Sequence, residues 1–305
     1  MLLVAGASGF LGRNLTLEAL AAACHVVGVV HEQPVDDLSI ETVTADLTSP
    51  SAAKALLERL RPATVVNCAA FADVDACEAN PERARLLNFE LPRSLAAACA
   101  ELGVGLVHIS TDSVFDGTRG GYTESDQPAP VNVYARSKLE GERAVQSSFP
   151  EALIVRTNFI GVSGRGAGLA DWVSSRLETG DRINGFDDVI FSPLLANELA
   201  RVVLAAIDCG LQGLYHASAA DACSKYDFAC RLAVALGADS GLVKSARLAD
   251  ARLPAPRPLN TSMLPAQLEK ALGRQMPTVD GAISGYVALR SAGFAGSLHE
   301  RNLVS

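Results

Sequence analysis

Short apolar runs separated by segments of helical period set the rhythm of the first half of the chain. Leu2 to Ala5, Val26 to Val30, Thr42 to Ala45 and Val65 to Cys68 each read as a strand, and Val107, His108 and Ile109 continue another run that stops at Ser110, Thr111 and Asp112. Unbroken apolar runs bounded by turn signals are the pattern of strands covered on both faces. Between them, Leu15, Ala19, Leu20 and Ala23 recur at helical spacing, Ala52 to Leu60 is helical and closed by Pro62, and a long helix runs from Ala84 to Leu102 with Asn88 in its interior. This alternation predicts a parallel sheet with helices on both faces and right-handed crossovers. Ligands then belong beyond the C-terminal strand ends, where Ser110 and Thr111 lie.

The second half repeats the pattern less regularly. Leu153 to Arg156 is a strand, followed by a Gly-rich loop from Gly161 to Gly168. Arg165 in that loop is a candidate for a substrate phosphate, with a solvated surface arginine as the equal alternative. Trp172 falls in the next helix and reads as core. Val189 to Phe191, Pro193 and a helix from Ala196 to Ile207 are expected to return the chain to the sheet, with Gly213 to Ala217 as one more strand. Ser224 caps a helix over Asp227 to Leu236, and Leu253 to Asn260 is a Pro-rich, rigid loop. The tail after Phe294 reads as peripheral.

Two places carry chemistry. Gly6, Gly9 and Gly12 lie between the first strand and the first helix, so backbone N–H groups and a helix N-terminus can approach a pyrophosphate closely. After the second strand, Glu32 stands at the distance where an acidic residue takes a ribose 2′-OH. His31 could instead tolerate a 2′-phosphate, helped by Arg13, and the choice stays open. Asp46 could accept a hydrogen bond from an adenine amino group or serve as a helix N-terminal acid. Ala69 and Ala70 are small enough to let a flat cofactor pass the backbone. Asp73, Asp75 and Glu78 read as a solvated acidic turn. The second place is Tyr134 and Lys138, one helical turn apart and so on one face. A nearby ammonium is expected to lower the phenol pKa and make it a proton donor to a carbonyl oxygen.

Composition narrows the picture. The 305 residues suffice for one large or two closely connected domains, and a net charge of −8 without a basic run argues against nucleic-acid or anionic-membrane surfaces. Any phosphate must therefore be held locally. Seven scattered cysteines without a Cys-x-x-Cys pair indicate neither a metal site nor a disulfide framework, which suits a reduced cytoplasm. Met1 to Leu11 lacks a basic leader and is broken by glycines, so no signal peptide is expected, and no apolar run reaches membrane-spanning length.

Taken together, Gly-x-x-Gly-x-x-Gly, Asn67-Cys68-Ala69-Ala70, Ser110-Thr111-Asp112-Ser113-Val114-Phe115-Asp116-Gly117 and Tyr134-Ala135-Arg136-Ser137-Lys138 resemble an extended short-chain dehydrogenase/reductase. Asp73-Val74-Asp75 with Glu78, Asn88, Tyr122-Thr123-Glu124 and Gly141-Glu142 narrow the resemblance to the dTDP-4-dehydrorhamnose reductase family. It covers most of the chain, strongly to Arg156 and weakly after it.

The resemblance implies an α/β fold, with a Rossmann-type doubly wound parallel sheet at 1–157 and a smaller α/β substrate-binding domain mainly at 158–305. Segments near 188–209 would return to the sheet. It implies a catalytic triad of Thr111, Tyr134 and Lys138. Gly6, Ser8, Gly9, Phe10, Leu11, Gly12, His31, Asp46, Leu47, Ala69 and Ala70, with Tyr134 and Lys138, would contact the cofactor. That cofactor is NADPH, with NADH open. Ser113, Phe159, Arg165 and Arg257 are the implied substrate contacts, the substrate being a nucleotide sugar, and a homodimer is expected. Three departures stand out. Ser113 replaces the family's Tyr, Gly9-Phe10-Leu11-Gly12 replaces Gly-Gln-Leu-Gly, and Phe159 replaces a Trp. The expected function is NAD(P)H-dependent reduction of a 4-keto group on a nucleotide-activated deoxysugar. The alternatives are an epimerase or dehydratase of the same superfamily and a non-catalytic, cofactor-binding regulatory subunit.

Overall fold

A computed structural model of the chain describes residues 1–31, 40–163 and 168–294. Seven parallel strands form one sheet. In chain order they are β1 (Leu2–Ala5), β2 (Val26–Val30), β3 (Glu41–Thr44), β4 (Thr64–Asn67), β5 (Gly105–Thr111), β6 (Leu153–Thr157) and β7 (Gly213–Ala217). Their spatial order is β7-β6-β5-β4-β1-β2-β3. The order reverses at β1, which pairs with β2 on one side and β4 on the other. A crevice opens at such a reversal, beyond the carboxyl ends of the strands.

The apolar runs are continuous because both faces of the sheet are covered. Successive side chains alternate, so Val4, Val66 and Val107 join one core while Leu3, Val65 and Leu106 join the other. On the first face, helix α1 (Phe10–Ala21) packs against helix Ala196–Asp208. On the second, helix α2 (Pro50–Leu60) and helix Val133–Ser148 pack on helix Leu91–Leu102.

Two expectations need correction. The helix expected over 84–102 begins at Pro81, and its middle, Leu86–Glu90, is a π-helical turn in which the Leu91 N–H reaches back five residues to the Leu86 carbonyl. The cause is Pro92, which has no N–H to give the Asn88 carbonyl and whose ring crowds it. Val189 to Phe191 does not join the large sheet. Ile190–Phe191 pairs antiparallel with Cys223–Ser224, and Leu194–Leu195 pairs with Phe159–Ile160. The chain returns through helix Ala196–Asp208 and then β7, which pairs with β6.

The C-terminal half is stitched onto the first. Tyr122 bridges to Met263, Asn260 N–H donates to the Gly117 carbonyl at 2.9 Å, and Leu264 N–H donates to the Tyr122 carbonyl at 2.8 Å. Among the described residues no helix is long and apolar enough to cross a membrane.

Candidate active site

A cavity of about 520 Å³ occupies the crevice at the sheet reversal. Gly6, Ser8 and Gly9 wall one end, His31 closes β2, Asp46 and Leu47 follow β3, and Ala69 and Ala70 follow β4. The Gly turn explains its shape. Gly6 has φ +75°, and a Cβ there would lie 2.8 Å from the Ala69 backbone. A Cβ on Gly12 would fall 2.1 Å from the Gly6 carbonyl oxygen, so both positions require glycine. Gly9 caps α1 without a side-chain hydrogen bond, which leaves the first-turn N–H groups facing the crevice. This cradle fits a dinucleotide, with the pyrophosphate on the helix N-terminus.

The remaining residues expected at this site support it from behind. Phe10 packs edge-on against Phe159, with ring centroids 5.2 Å apart. Leu11 and Arg13 are buried in α1. Asp46 Oδ1 accepts from the Thr48 N–H at 3.0 Å and the Thr48 hydroxyl at 2.6 Å, and these bonds hold its carboxyl below the usual range. Asp46 thus both shapes its own turn and lines the cavity. Glu32 lies outside the described residues. Arg83, whose guanidinium covers the Phe71 ring, also lines the cavity and had no sequence signal that pointed to it.

Thr111 ends β5 and accepts from the Ser113 N–H at 3.2 Å, opening a tight turn over Asp112–Val114. Its hydroxyl lies close enough to the Tyr134 phenol to favour the ionised form of that phenol. Helix Val133–Ser148 presents Tyr134 and Lys138, and Asn132 caps it by accepting from the Ala135 N–H at 2.8 Å. Asn88, fixed in the π-helical turn, aligns this helix. Its amide donates to Ser137 Oγ and to the Phe71 carbonyl, each at 3.0 Å, and it accepts from the Phe71 N–H at 2.8 Å. Gly141 is the contact point, since a Cβ there would sit 2.1 Å from the Asn88 carbonyl.

The electrostatics differ from expectation. Burial pushes the Tyr134 phenol up to about 12, with Asp112 and Cys77 acting in the same direction and Thr111 against them. Lys138, whose Nζ donates to the Ile109 carbonyl at 2.7 Å, is not among the groups that move it. Lys138 itself is lowered to about 8 by burial, against the pull of Glu142 and Cys68. Nearby, Asn67 accepts from the Ala69 N–H and donates to His108 Nδ1, both at 3.1 Å. His108 therefore carries its proton on Nε2, and burial first, then Lys138, holds its pKa well below the ordinary value.

A second cavity of about 420 Å³ borders Asp112 and Ser113, which follow Thr111 in the chain. Asp112, Ser113 and Asn158 stand at its inner end, Arg257 and Lys225 in its wall, and Trp172, Ile183 and Phe186 among its apolar lining. Asp112 is saturated. It accepts from Asn158 Nδ2 at 2.8 Å, Thr261 Oγ1 at 2.6 Å, Thr111 Oγ1 at 3.2 Å and Ser113 Oγ at 3.3 Å. Burial raises its pKa against those bonds and the Lys225 charge.

Here too some readings change. Trp172 is 43% exposed rather than core, because Ala170, Val173, Ser174 and Leu177 form the buried face of its helix. Asp73, Asp75 and Glu78 are not a solvated turn. Asp73 caps helix Val74–Ala79, Asp75 pairs with Arg257 at 3.0 Å, and Glu78 accepts from the Val133 N–H at 3.0 Å. Phe159 lies against Phe10, and Arg165 falls outside the described residues.

The comparisons with known proteins agree with this geometry. Residues 1–290 match the family described as RmlD substrate binding domain. A Haloferax volcanii protein named "Probable low-salt glycan biosynthesis reductase Agl14" is 37% identical over 293 residues, covering 93% of this chain and 96% of that one. The dTDP-4-dehydrorhamnose reductase of Mycobacterium tuberculosis is 38% identical over 263 residues, covering 84% and 82%. The crystal structure of dTDP-4-dehydrorhamnose reductase from Bacillus anthracis in complex with NADP superposes with a TM-score of 0.82 at 26% identity, covering 94% of this chain and 98% of that one. This chain belongs to the RmlD substrate binding domain family.

Proposed function

We propose that this protein reduces the 4-keto group of a nucleotide-activated deoxysugar with NADPH, as its relatives named dTDP-4-dehydrorhamnose reductase do. What supports the reading is that Thr111 and Lys138 neighbour lining residues of the two cavities. Lys138 lies near Cys68 of the cofactor cleft, whose thiol burial keeps protonated, and Thr111 hydrogen-bonds Asp112 beside Ser113 in the second cavity. A carbonyl placed there meets a proton donor and a hydrogen-bond donor on one side and the nicotinamide on the other.

NADPH, when bound, supplies the hydride. Gly6, Gly9 and the α1 N-terminus would hold its pyrophosphate, and Ala69 and Ala70 would allow close passage. Tyr134 gives its proton to the sugar oxygen as the alkoxide forms, and Thr111 hydrogen-bonds the same oxygen and fixes its approach. The raised Tyr134 pKa suits this direction, because the phenol holds its proton throughout the neutral range. Lys138, anchored on the Ile109 carbonyl, would hydrogen-bond the nicotinamide ribose.

Ser113 and Arg257 belong to the substrate side in this reading. Assembly as a homodimer rests on family resemblance, and a cytoplasmic location on seven cysteines that are all free thiols. The test is loss of reduced-nicotinamide absorbance with purified protein, NADPH and a dTDP-4-keto-6-deoxyhexose. Turnover supports the reading, and NADPH binding without turnover on any 4-keto nucleotide sugar removes it.

A further inference from the structure

Among the described residues the second cavity is lined by two cations, in a protein of net charge −8, and they are not equivalent. Arg257 is already engaged, donating to the Ala255 carbonyl at 2.9 Å through one nitrogen and pairing with Asp75 at 3.0 Å through another. Lys225 is different. Its Nζ rests 3.2 Å from the centroid of the Phe191 ring, and among the described residues it has no hydrogen-bond acceptor and no salt bridge. Asp112 shares the cavity, but its oxygens already accept from Asn158, Thr261, Thr111 and Ser113. An aromatic face stabilises an ammonium without using its N–H groups. Lys225 is therefore held in place with its donors still available to the cavity.

We propose that Lys225 binds the substrate's diphosphate, donating from Nζ to a phosphate oxygen across the cavity from Arg257. This rests on the nucleotide-sugar reading and assigns the polyanion to particular residues. Position supports it. Lys225 opens helix Lys225–Ala235, whose preceding strand Cys223–Ser224 pairs with Ile190–Phe191, so Phe191 and the ammonium are fixed together. A strongly hydrated ammonium enters such a wall at a desolvation cost, which an anionic ligand offsets. Trp172, Ile183 and Phe186 continue the cavity with apolar surface suited to a nucleoside. Asp112 and Ser113, both cations and this apolar surface thus line one cavity.

The test compares wild type with Lys225→Met, Lys225→Gln and Lys225→Arg in the full chain, using calorimetric titration with dTDP, UDP and, as a control for the other cavity, NADPH. The neutral variants are expected to weaken nucleoside diphosphate binding about ten- to hundredfold, the span of one charge-assisted hydrogen bond. NADPH affinity is expected to stay unchanged, which also reports that the variants are folded. Lys225→Arg is expected to recover most of the lost affinity, and KM for the keto sugar should rise in Lys225→Met with little change in kcat. Unchanged dTDP and UDP binding in both neutral variants, with wild-type turnover intact, overturns the assignment of Lys225 alone. A wild-type protein that binds NADPH but neither nucleoside diphosphate overturns the nucleotide-sugar reading as well.

Discussion

Arg156 and Glu142 form a fork-to-carboxylate ion pair, 2.7 Å at its closest, with side chains only 4% and 5% exposed. Arg156 Nε adds contacts of 3.0 and 3.1 Å to the two carboxylate oxygens, and Ser110 Oγ donates to Glu142 from the strand end beside Thr111. The Phe115 ring covers the guanidinium at 5.2 Å. This pair joins the helix bearing Tyr134 and Lys138 to β5 and β6.

Breaking the pair from one side leaves the other charge buried. Glu142→Ala is therefore expected to lower unfolding free energy by about 3–5 kcal/mol in urea titration. Replacing both partners with apolar residues of similar volume is expected to recover much of that loss. A single variant within about 0.5 kcal/mol of wild type would show that the pair contributes little.

Tyr134→Phe removes the phenolic proton and leaves the ring. Turnover is expected to fall about 10²- to 10⁴-fold, with NADPH affinity within about twofold of wild type, read by fluorescence titration. Unchanged turnover would end the assignment of Tyr134 as proton donor.

The cofactor contact proposed for Lys138 predicts a pH dependence of cofactor binding. With its pKa lowered to about 8 by burial, it is charged in the neutral range and loses that charge as pH rises through 8. NADPH affinity is expected to be level from about pH 6.5 to 7.5 and to weaken above 8. Measuring binding without sugar separates this effect from Lys225, which is also lowered to about 8 by burial but faces the other cavity. An affinity that stays flat to pH 9.5 would contradict the role given to the ammonium.

Gly12→Ala tests the turn. Its Cβ would meet the Gly6 carbonyl at 2.1 Å, so the turn must shift. Overpacking of this kind costs about 1–3 kcal/mol, and NADPH affinity is expected to drop about tenfold or more. Gly103→Ala is the control for cofactor affinity, since a Cβ there meets nothing within 4 Å even though its φ of +66° strains the backbone.

Most of the sheet was readable because buried parallel strands carry a continuous apolar signature. The Gly turn and the helix that carries Tyr134 and Lys138 one turn apart were readable because their spacing is local, whereas Thr111 was singled out by the family resemblance. Lys225 was not, although the capping Ser224 beside it was recognised. Its significance comes from Phe191 and Asp112, which approach it only in three dimensions. The direction of the Tyr134 shift was missed for a similar reason, because helical spacing places an ammonium on the same face without revealing how far the fold desolvates the phenol. Trp172 was misjudged because a large apolar residue in a helix reads as core unless the buried face of that helix is known.

The stitching between the halves has a practical consequence for dissecting the protein. Asp112 takes its partners from Asn158 and Thr261, Asp75 holds Arg257, and the edge strand β7 comes from Gly213–Ala217. A cut after residue 157 removes a strand, a carboxylate's ligands and a cation's counter-charge together. Neither fragment would be a working module, and transplanting the substrate specificity of this chain means exchanging several separated segments at once.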